Sequence, residues 1–580
     1  MAKGMMIVDG QRVNFDGEKN VLSVIRKAGI EMPTFCYYSD LSVYGACRMC
    51  VVEDEKTGKI DASCSMEPRD GMRISTNSAR LLKHRRVILE LLLASHNCNC
   101  TTCEKSGHCR LQELAQQFGV RRIRFPDTRE HYEIDSSSPA VLRDPNKCIL
   151  CGDCVRVCKE VQGMSILHFA GRGPGLHIEA GDDQPISTTH CVSCGQCAAV
   201  CTTGAITVKN DIGAAWRALH DPQKRVVIQI APAVRVAIGE AYGLPAGENV
   251  LDKLVTALKI MGADEIYDTI FGADLTVREE SKEFLRRLET GENLPLMTSC
   301  CPSWVRYVEQ ERPQFIKNLS SALSPMQMFA TVLKDKYREK DAADGRTTYH
   351  IAIMPCTAKK FETKRDDQSA SGYPDVDIAL TTRELARMIE SAGIYFKHLP
   401  DEEFDNPLGE GTGAAVIFGA TGGVMEAALR TAVETLTGKA LDNVDFTDVR
   451  GMDGVKEAEY EVAGLKLKVA VASGTANAHT LMEQVKAGTS PYHFIEIMGC
   501  PGGCINGGGQ PIQHAVVRNF VDLKNRRAAA LYDADRKLPV RKSHESEAIK
   551  TVYTEFFGEP GSHLAHEVLH TSYKARPKYK

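Results

Sequence analysis

CILCGDCVRVC at residues 148–158 and CVSCGQCAAVC at residues 191–201 carry one spacing twice, C-x2-C-x2-C-x3-C. A thiolate is a soft, anionic donor, and a turn that converges three sulfurs on one face suits the iron of a 4Fe-4S cube. The doubled run is the two-cluster ferredoxin signature, in which the fourth cysteine of each run serves the other run's cluster. Cys148, Cys151, Cys154, Cys158, Cys191, Cys194, Cys197 and Cys201 are therefore expected to hold two 4Fe-4S clusters, in a domain spanning 127–209. Zinc is the alternative, but zinc sites rarely pack four cysteines so tightly. The polar stretch DTREHYEIDSSSP (127–139) reads as the linker that leads in.

Working outward toward the N-terminus, MMIVDGQRVNF reads as a hairpin around Asp9-Gly10 and NVLSVIRKAGI as a short amphipathic helix. Residues 1–80 form a small β-rich domain containing Cys36, Cys47, Cys50 and Cys64, spaced C-x10-C-x2-C-x13-C. Gly45-Ala46 lets backbone amides approach the sulfurs. The spacing departs from the plant ferredoxin run but resembles the N-terminal 2Fe-2S domain of the large iron–sulfur subunit of respiratory complex I, so a 2Fe-2S cluster on a β-grasp, ferredoxin-like fold is expected. Between 81 and 126 a helical run over 79–96 leads into His96, Cys100, Cys103 and Cys109, spaced H-x3-C-x2-C-x5-C. Alone, one histidine and three cysteines suit structural zinc equally well. Placed after a 2Fe-2S domain, they resemble the His-ligated 4Fe-4S cluster of complex I and its relatives. Cys98 has no role in this scheme.

Of 21 cysteines, 16 lie before residue 202, in a chain with no apolar stretch of signal-peptide length at MAKGMMIVDG. Metal ligation, not disulfide bonding, is the expected use. The net charge of -4 provides no footprint for nucleic acid and no polybasic membrane patch. No apolar run of transmembrane length is present, so a cytoplasmic protein is expected. Beyond about residue 210, VVIQIAP, YHIAIMPC, AAVIFGATGG, LKVAVASG and YHFIEIMGC read as strands ending in Gly, Pro or Cys turns. They alternate with helical patterns such as NVLDKLVTALKIMG and TRELARMIESAG, which predicts a large, mostly parallel α/β domain over 210–580. Ligands of such folds sit beyond the C-terminal strand ends.

The last five cysteines lie in TSCCPSW (298–304), MPCTAKKFE (354–362) and EIMGCPGGCINGGGQP (496–511). These segments resemble the three signature segments of the FeFe-hydrogenases, and the whole domain order resembles the clostridial monomeric type with four accessory clusters. The resemblance implies an H-cluster, a 4Fe-4S cube linked to a diiron unit with carbon monoxide, cyanide and azadithiolate ligands, installed by dedicated maturation proteins. It implies that Cys301, Cys356, Cys500 and Cys504 hold the cube, with Cys504 bridging to the diiron unit. Cys300 becomes the proton donor and acceptor. Protons reach it along Arg287, Glu283, Ser320 and Glu280, and Lys359 holds a cyanide. Met354, Met498, Phe418, Ala231 and Pro232 wall the pocket. From spacing alone, Glu280, Glu283 and Arg287 share one helix face and read as a solvated salt-bridge stripe.

Five positions depart from the clostridial pattern: Ala233, Leu323, Met326, Ala358 and Gly499. The expected consequence is a changed potential, catalytic bias or oxygen response. His566-Glu567-Val568-Leu569-His570 fits H-E-x-x-H, but no third ligand follows, so a zinc protease is not expected. The reading is a ferredoxin hydrogenase, reducing protons with electrons from ferredoxin or flavodoxin. The alternatives are the hydrogen-activating subunit of an NAD-linked bifurcating complex, or a hydrogen sensor.

Overall fold

β1 (Lys3–Val8) and β2 (Gln11–Asp16) pair across Asp9-Gly10, whose φ angles of 48° and 82° are the left-handed geometry that two-residue hairpins demand. The helix Val21–Lys27 starts at Asn20, whose side chain accepts from the Ser23 amide at 3.0 Å. It packs Leu22, Val24 and Ile25 onto Met6, Val8 and Phe15. β3 (Val51–Asp54), β4 (Ile60–Ala62) and β5 (Arg73–Ser75) complete a mixed sheet ordered β2-β1-β5-β3-β4, the expected β-grasp unit. The computed structural model describes residues 3–127, 130–369, 374–405, 408–513 and 515–578.

The helix Ala79–Ala94 buries Leu89 against Phe35 and Met49 of the first unit and Leu111 and Leu114 of the next, joining the two cores. The doubled cysteine run folds as a structural repeat. Leu150 and Gly152 in one arm, Ser193 and Gly195 in the other, are all left-handed (φ 56°, 74°, 59° and 70°), and each arm then enters a short helix, Asp153–Arg156 or Gln196–Val200. β6 (Val141–Arg143), β7 (Leu167–Ala170), β8 (His177–Ala180) and β9 (Ile206–Val208) form two antiparallel pairs, β6 with β9 and β7 with β8. The stretch read as a linker is docked here. Asp135 bridges to Arg143, its carboxylate accepts from the Ile186 amide at 2.9 Å, and Tyr132 N donates to Asn146. Its residues 128–129 lie outside the described residues.

The C-terminal half is α/β, as expected. β10 (Lys224–Ile230), β11 (Glu265–Asp268), β12 (Leu296–Met297), β13 (Thr347–Met354), β14 (Ile378–Thr381), β15 (Val455–Val462), β16 (Leu465–Ser473) and β17 (Phe494–Met498) make two four-stranded sheets. Their orders are β11-β10-β13-β14, wholly parallel, and β12-β17-β16-β15, parallel except for the β15–β16 hairpin. Residues 226–230 of β10 and 350–354 of β13 are buried on both faces and apolar apart from Gln229 and His350, which bond to each other at 3.0 Å. The helices Ile270–Thr290, Pro325–Asp344 and Gly423–Thr437 pack beside these sheets.

One strand expectation fails. AAVIFGATGG is helical, Gly413–Val416 followed by a tight turn Ile417–Gly419, packed against the helices Ile270–Thr290 and Leu523–Lys537. A short, wholly apolar run has no period to separate a buried strand from a buried helix. Among the described residues no helix is long and apolar enough to cross a membrane.

Candidate active site and electron relay

None of the 21 cysteines is in a disulfide, and they fall into five groups. In the first, Cys47 N donates to the Cys36 sulfur at 3.3 Å, and Phe35 N to the Cys47 sulfur at 3.5 Å. A hydrogen bond from Cys64 lowers the Cys50 thiol to about 7, while Cys64 itself is pushed far up. Cys36, Cys50 and Cys64 are buried, so paired thiols face one another in an enclosed loop. In the second group, Cys100–Thr102 forms one tight turn and Cys109 starts the helix Arg110–Gln117, with His96 just beyond the preceding helix. Cys98 is exposed, its thiol bonded to the His96 carbonyl.

The two ferredoxin-like arms exchange their last cysteines. Cys148, Cys151, Cys154 and Cys201 line one small cavity of about 30 Å3. Burial, then the charges of Cys151, Cys148 and Cys201, pushes the Cys154 thiol well up. Cys197 is raised by burial, then by Cys191 and Cys158, so Cys158 sits with the other arm. Equivalent amides serve both arms, Leu150 N to Cys148 at 3.3 Å and Ser193 N to Cys191 at 3.5 Å.

The fifth group lies beyond the strand ends. Cys301 opens the helix Pro302–Glu311, Cys356 follows β13, and Cys500 and Cys504 follow β17. The Cys500 thiol is pushed well up by burial and then by Cys356, Cys301 and Cys504, so the four sulfurs from three segments converge. They line a cavity of about 90 Å3 together with Cys300, Lys359, Met354, Phe418, Met498, Ala231, Pro232 and Ala233. Gly499 N donates to the Cys301 sulfur at 3.2 Å. Lys359 pairs with Glu362 at 2.6 Å and donates to the Cys300 carbonyl at 3.3 Å. Burial opposes its charge, but Glu362 outweighs it and holds the ammonium above its usual range.

Glu280, Glu283 and Arg287 are not a solvated stripe. They are 1 %, 8 % and 4 % exposed, and Ser320 is wholly buried. Arg287 donates to Glu283 at 2.6 Å and Ser320 to Glu283 at 3.1 Å. Burial, then the Glu283 charge, raises Glu280 to about 8, opposed by a hydrogen bond from Ser320. The Glu280 charge is in turn the second cause, after burial, that pushes the Cys300 thiol up. Arg287, Glu283, Ser320 and Glu280 are thus buried together, and the charge of Glu280 is felt at Cys300 on the cavity wall.

The donor sets fit iron–sulfur clusters: four thiols in four of the groups, three thiols and a histidine in the other, and an active-site group enclosed with a lysine at its wall. A family profile described as "Iron only hydrogenase large subunit, C-terminal domain" matches residues 224–508, and "Iron hydrogenase small subunit" matches 521–576. Upstream, profiles for a 2Fe-2S iron-sulfur cluster binding domain (5–79), the NADH-ubiquinone oxidoreductase-G iron-sulfur binding region (85–124) and a 4Fe-4S dicluster domain (140–202) match in turn. Iron hydrogenase 1 of Clostridium pasteurianum is 38% identical over 572 residues, 98% of this chain and 99% of that one. The chain belongs to the FeFe-hydrogenase family. The "NADP-reducing hydrogenase subunit HndD" of Solidesulfovibrio fructosivorans is 43% identical over 98% of this chain and 99% of its own length. A solved structure of the HydA1 FeFe-hydrogenase of Chlamydomonas reinhardtii superposes with a TM-score of 0.55 at 38% identity, covering 63% of this chain and 99% of that one.

Within this FeFe-hydrogenase the five departing positions are all buried. A Cβ on Gly499 would stand 2.9 Å from Ser303 Cβ, so the missing methyl is matched by its neighbour. Met326 lines the cavity directly, while Leu323 N bonds to the Leu569 carbonyl of the C-terminal segment. The H-E-x-x-H imidazoles lie 4.1 Å apart, ring to ring, but both nitrogens of His570 are already engaged and neither is left to ligate a metal. Instead His570 bonds to Glu279 at 2.9 Å and Ser321 at 2.8 Å, and Ser321 N donates to Glu283 at 3.0 Å. Sequence reading missed this clamp on the Glu283 carboxylate, since its partners are 249 and 38 residues apart.

The relay meets the active site through glycines. A Cβ on Gly508 would stand 2.7 Å from Gly195 Cα and press on the Cys194 carbonyl, and one on Gly195 would stand 2.8 Å from Thr357 Cγ2. Thr357 also donates to the Ser193 carbonyl at 2.7 Å. Gly508→Ala is expected to destabilise the protein by about 1–3 kcal/mol through overpacking. It should also slow reduction of the active-site cluster by the accessory clusters, read by freeze-quench EPR. An unchanged melting temperature and rate would show that the contact carries no strain.

Proposed function

We propose that this FeFe-hydrogenase interconverts protons and molecular hydrogen, drawing electrons from a reduced ferredoxin or flavodoxin. The carrying observation is the convergence of Cys301, Cys356, Cys500 and Cys504 on one enclosed cavity, with a buried carboxylate file ending at Cys300. In this reading one 2Fe-2S and three 4Fe-4S clusters occupy units 1–80, 81–126 and 127–209, and the H-cluster occupies 210–580. Their ligands are Cys36, Cys47, Cys50 and Cys64; His96, Cys100, Cys103 and Cys109; and the two exchanged sets of the ferredoxin-like arms. The diiron unit, with its carbon monoxide, cyanide and azadithiolate ligands, would supply the hydrogen-forming chemistry once maturation proteins install it.

The chain's own residues place and protonate. The Gly499 amide stabilises the Cys301 thiolate, and Lys359 presents a fixed ammonium to an anionic ligand. Met354, Met498, Phe418, Ala231 and Pro232 exclude water from the cavity. Arg287 anchors the Glu283 carboxyl in the interior, Ser320 passes a proton from Glu283 to Glu280, and Glu280 passes it to Cys300. We place the protein in the cytoplasm.

A second reading is supported by the 43% identity to a subunit of an NADP-reducing hydrogenase, against 38% to the clostridial enzyme. There the chain would be the hydrogen-activating subunit of a nicotinamide-linked assembly. The test is hydrogen evolution by the cofactor-loaded chain with reduced ferredoxin, with NADPH and with reduced methyl viologen, beside its infrared spectrum. Evolution with ferredoxin alone supports the first reading, and evolution that needs NADPH plus copurifying subunits supports the second. Carbon monoxide and cyanide bands without any evolution would overturn both in favour of a sensor.

A further inference from the structure

The hairpin that joins the two ferredoxin-like arms carries a cluster of side chains no cysteine site uses. In β7 and β8, His168 stands directly opposite Glu179, and His177 opposite Ala170. The strand alternation therefore puts His168, His177 and Glu179 on one face, while Leu167 and Ile178 are buried on the other. Glu179 lies between the two imidazoles. Its Oε1 is 3.1 Å from His168 Nε2 and its Oε2 is 3.2 Å from His177 Nε2.

The other nitrogen of His177 fixes the ring. Nδ1 lies 2.9 Å from the Gly175 carbonyl and 3.2 Å from the Tyr132 hydroxyl. A carbonyl only accepts, so Nδ1 carries a proton toward Gly175, while Nε2 stays beside the far oxygen of Glu179. A carboxylate held in this way by an outer partner is how metal sites orient their ligands.

A third donor comes from the turn after β8. Asp182 and Asp183 are left-handed (φ 55° and 60°), and the ligand atom of Asp182 lies within 4.8 Å of those of His168 and Glu179. The preceding Gly181 is pressed so closely on the domain that a Cβ would stand 2.8 Å from Thr189 Cγ2, which fixes where the turn emerges. The geometry points to a divalent-metal site formed by His168, Glu179 and Asp182, with His177 holding the far oxygen of Glu179. One imidazole and two carboxylates, with water completing the shell, form a borderline set of the kind that zinc takes, rather than the all-oxygen set of magnesium or calcium. Bound metal would tie β7 to β8 and, through His177, to the Tyr132 strap, stiffening the connection between the two arms.

The test uses the protein with its iron–sulfur clusters in place, dialysed free of loose metal and given one equivalent of Zn2+. Crystals measured on either side of the zinc absorption edge should show zinc at the hairpin. Affinity should fall by at least roughly a hundredfold in His168→Gln and in Glu179→Gln, since losing even an outer partner costs 10–100-fold. Zinc should raise the melting temperature of the parent and not of the variants. Iron content and visible spectrum, retained in both variants, report that they have folded. Zinc bound only at cysteines, equal affinity in parent and variants, or two protonated imidazole–carboxylate pairs with no metal at the hairpin would overturn the assignment.

Discussion

Cys300→Ala lowers hydrogen evolution by about 10^2–10^4-fold, the range for losing a positioned proton donor, while the iron content and the infrared bands of the loaded protein stay as in the parent. The thiol lines the cavity, and burial, then the charges of Glu280, Cys301 and Cys504, keeps it well above the usual thiol range. It is therefore held protonated at neutral pH, ready to give a proton to a group bound in the cavity. Cys301 is untouched by the substitution, and so is its bond from Gly499 N. The competing view is that Cys300 is only a small apolar side chain packed with Phe418 and Met498. Under that view alanine would leave the rate within a few-fold of the parent, and the melting temperature would carry what effect there is.

The parts of the site that proved readable in the chain are those set by local spacing. The repeated cysteine run dictates a repeated backbone, and the left-handed Leu150, Gly152, Ser193 and Gly195 bear it out; even the exchange of Cys158 and Cys201 between arms follows from the repeat. The convergence of Cys301, Cys356, Cys500 and Cys504 is different in kind. They lie in three separate segments, nothing local joins them, and only the resemblance grouped them before the strand ends were seen to do so. Glu280, Glu283 and Arg287 show a third case. Their helical spacing is plain, but charges on one face of a helix ordinarily mean water, and burial comes from distant segments, among them Ser320, Ser321 and the C-terminal segment. His570 was set aside with a protease-like pattern, yet it fastens Glu279 and Ser321 from the far end of the chain. AAVIFGATGG failed for want of periodicity, and no amount of local reading repairs that.

Glu280→Gln separates the two consequences of a buried carboxyl. Burial first, and the Glu283 charge second, raise its pKa from an ordinary 4.5 to about 8. The folded protein thus holds a proton that the unfolded chain releases near 4.5, and between these values the folded state binds more protons. Stability then falls as pH rises across that window: the contribution is complete below about 4.5 and lost once pH has passed about 8. By linkage the span is worth roughly 5 kcal/mol at most. Glutamine cannot ionise, so the variant lacks this slope, and its melting temperature relative to the parent should climb from pH 5 to about pH 8 and level off above it. Activity moves the opposite way. An amide neither accepts the proton from Ser320 nor delivers one to Cys300, and hydrogen evolution should drop by about 10^2–10^4-fold at every pH. The parent should slow above pH 8, as Glu280 loses the proton it must hand on. A variant that evolves hydrogen at the parental rate, or whose melting temperature tracks the parent across the whole range, would remove Glu280 from the path and leave the file from Arg287 without its last carboxylate.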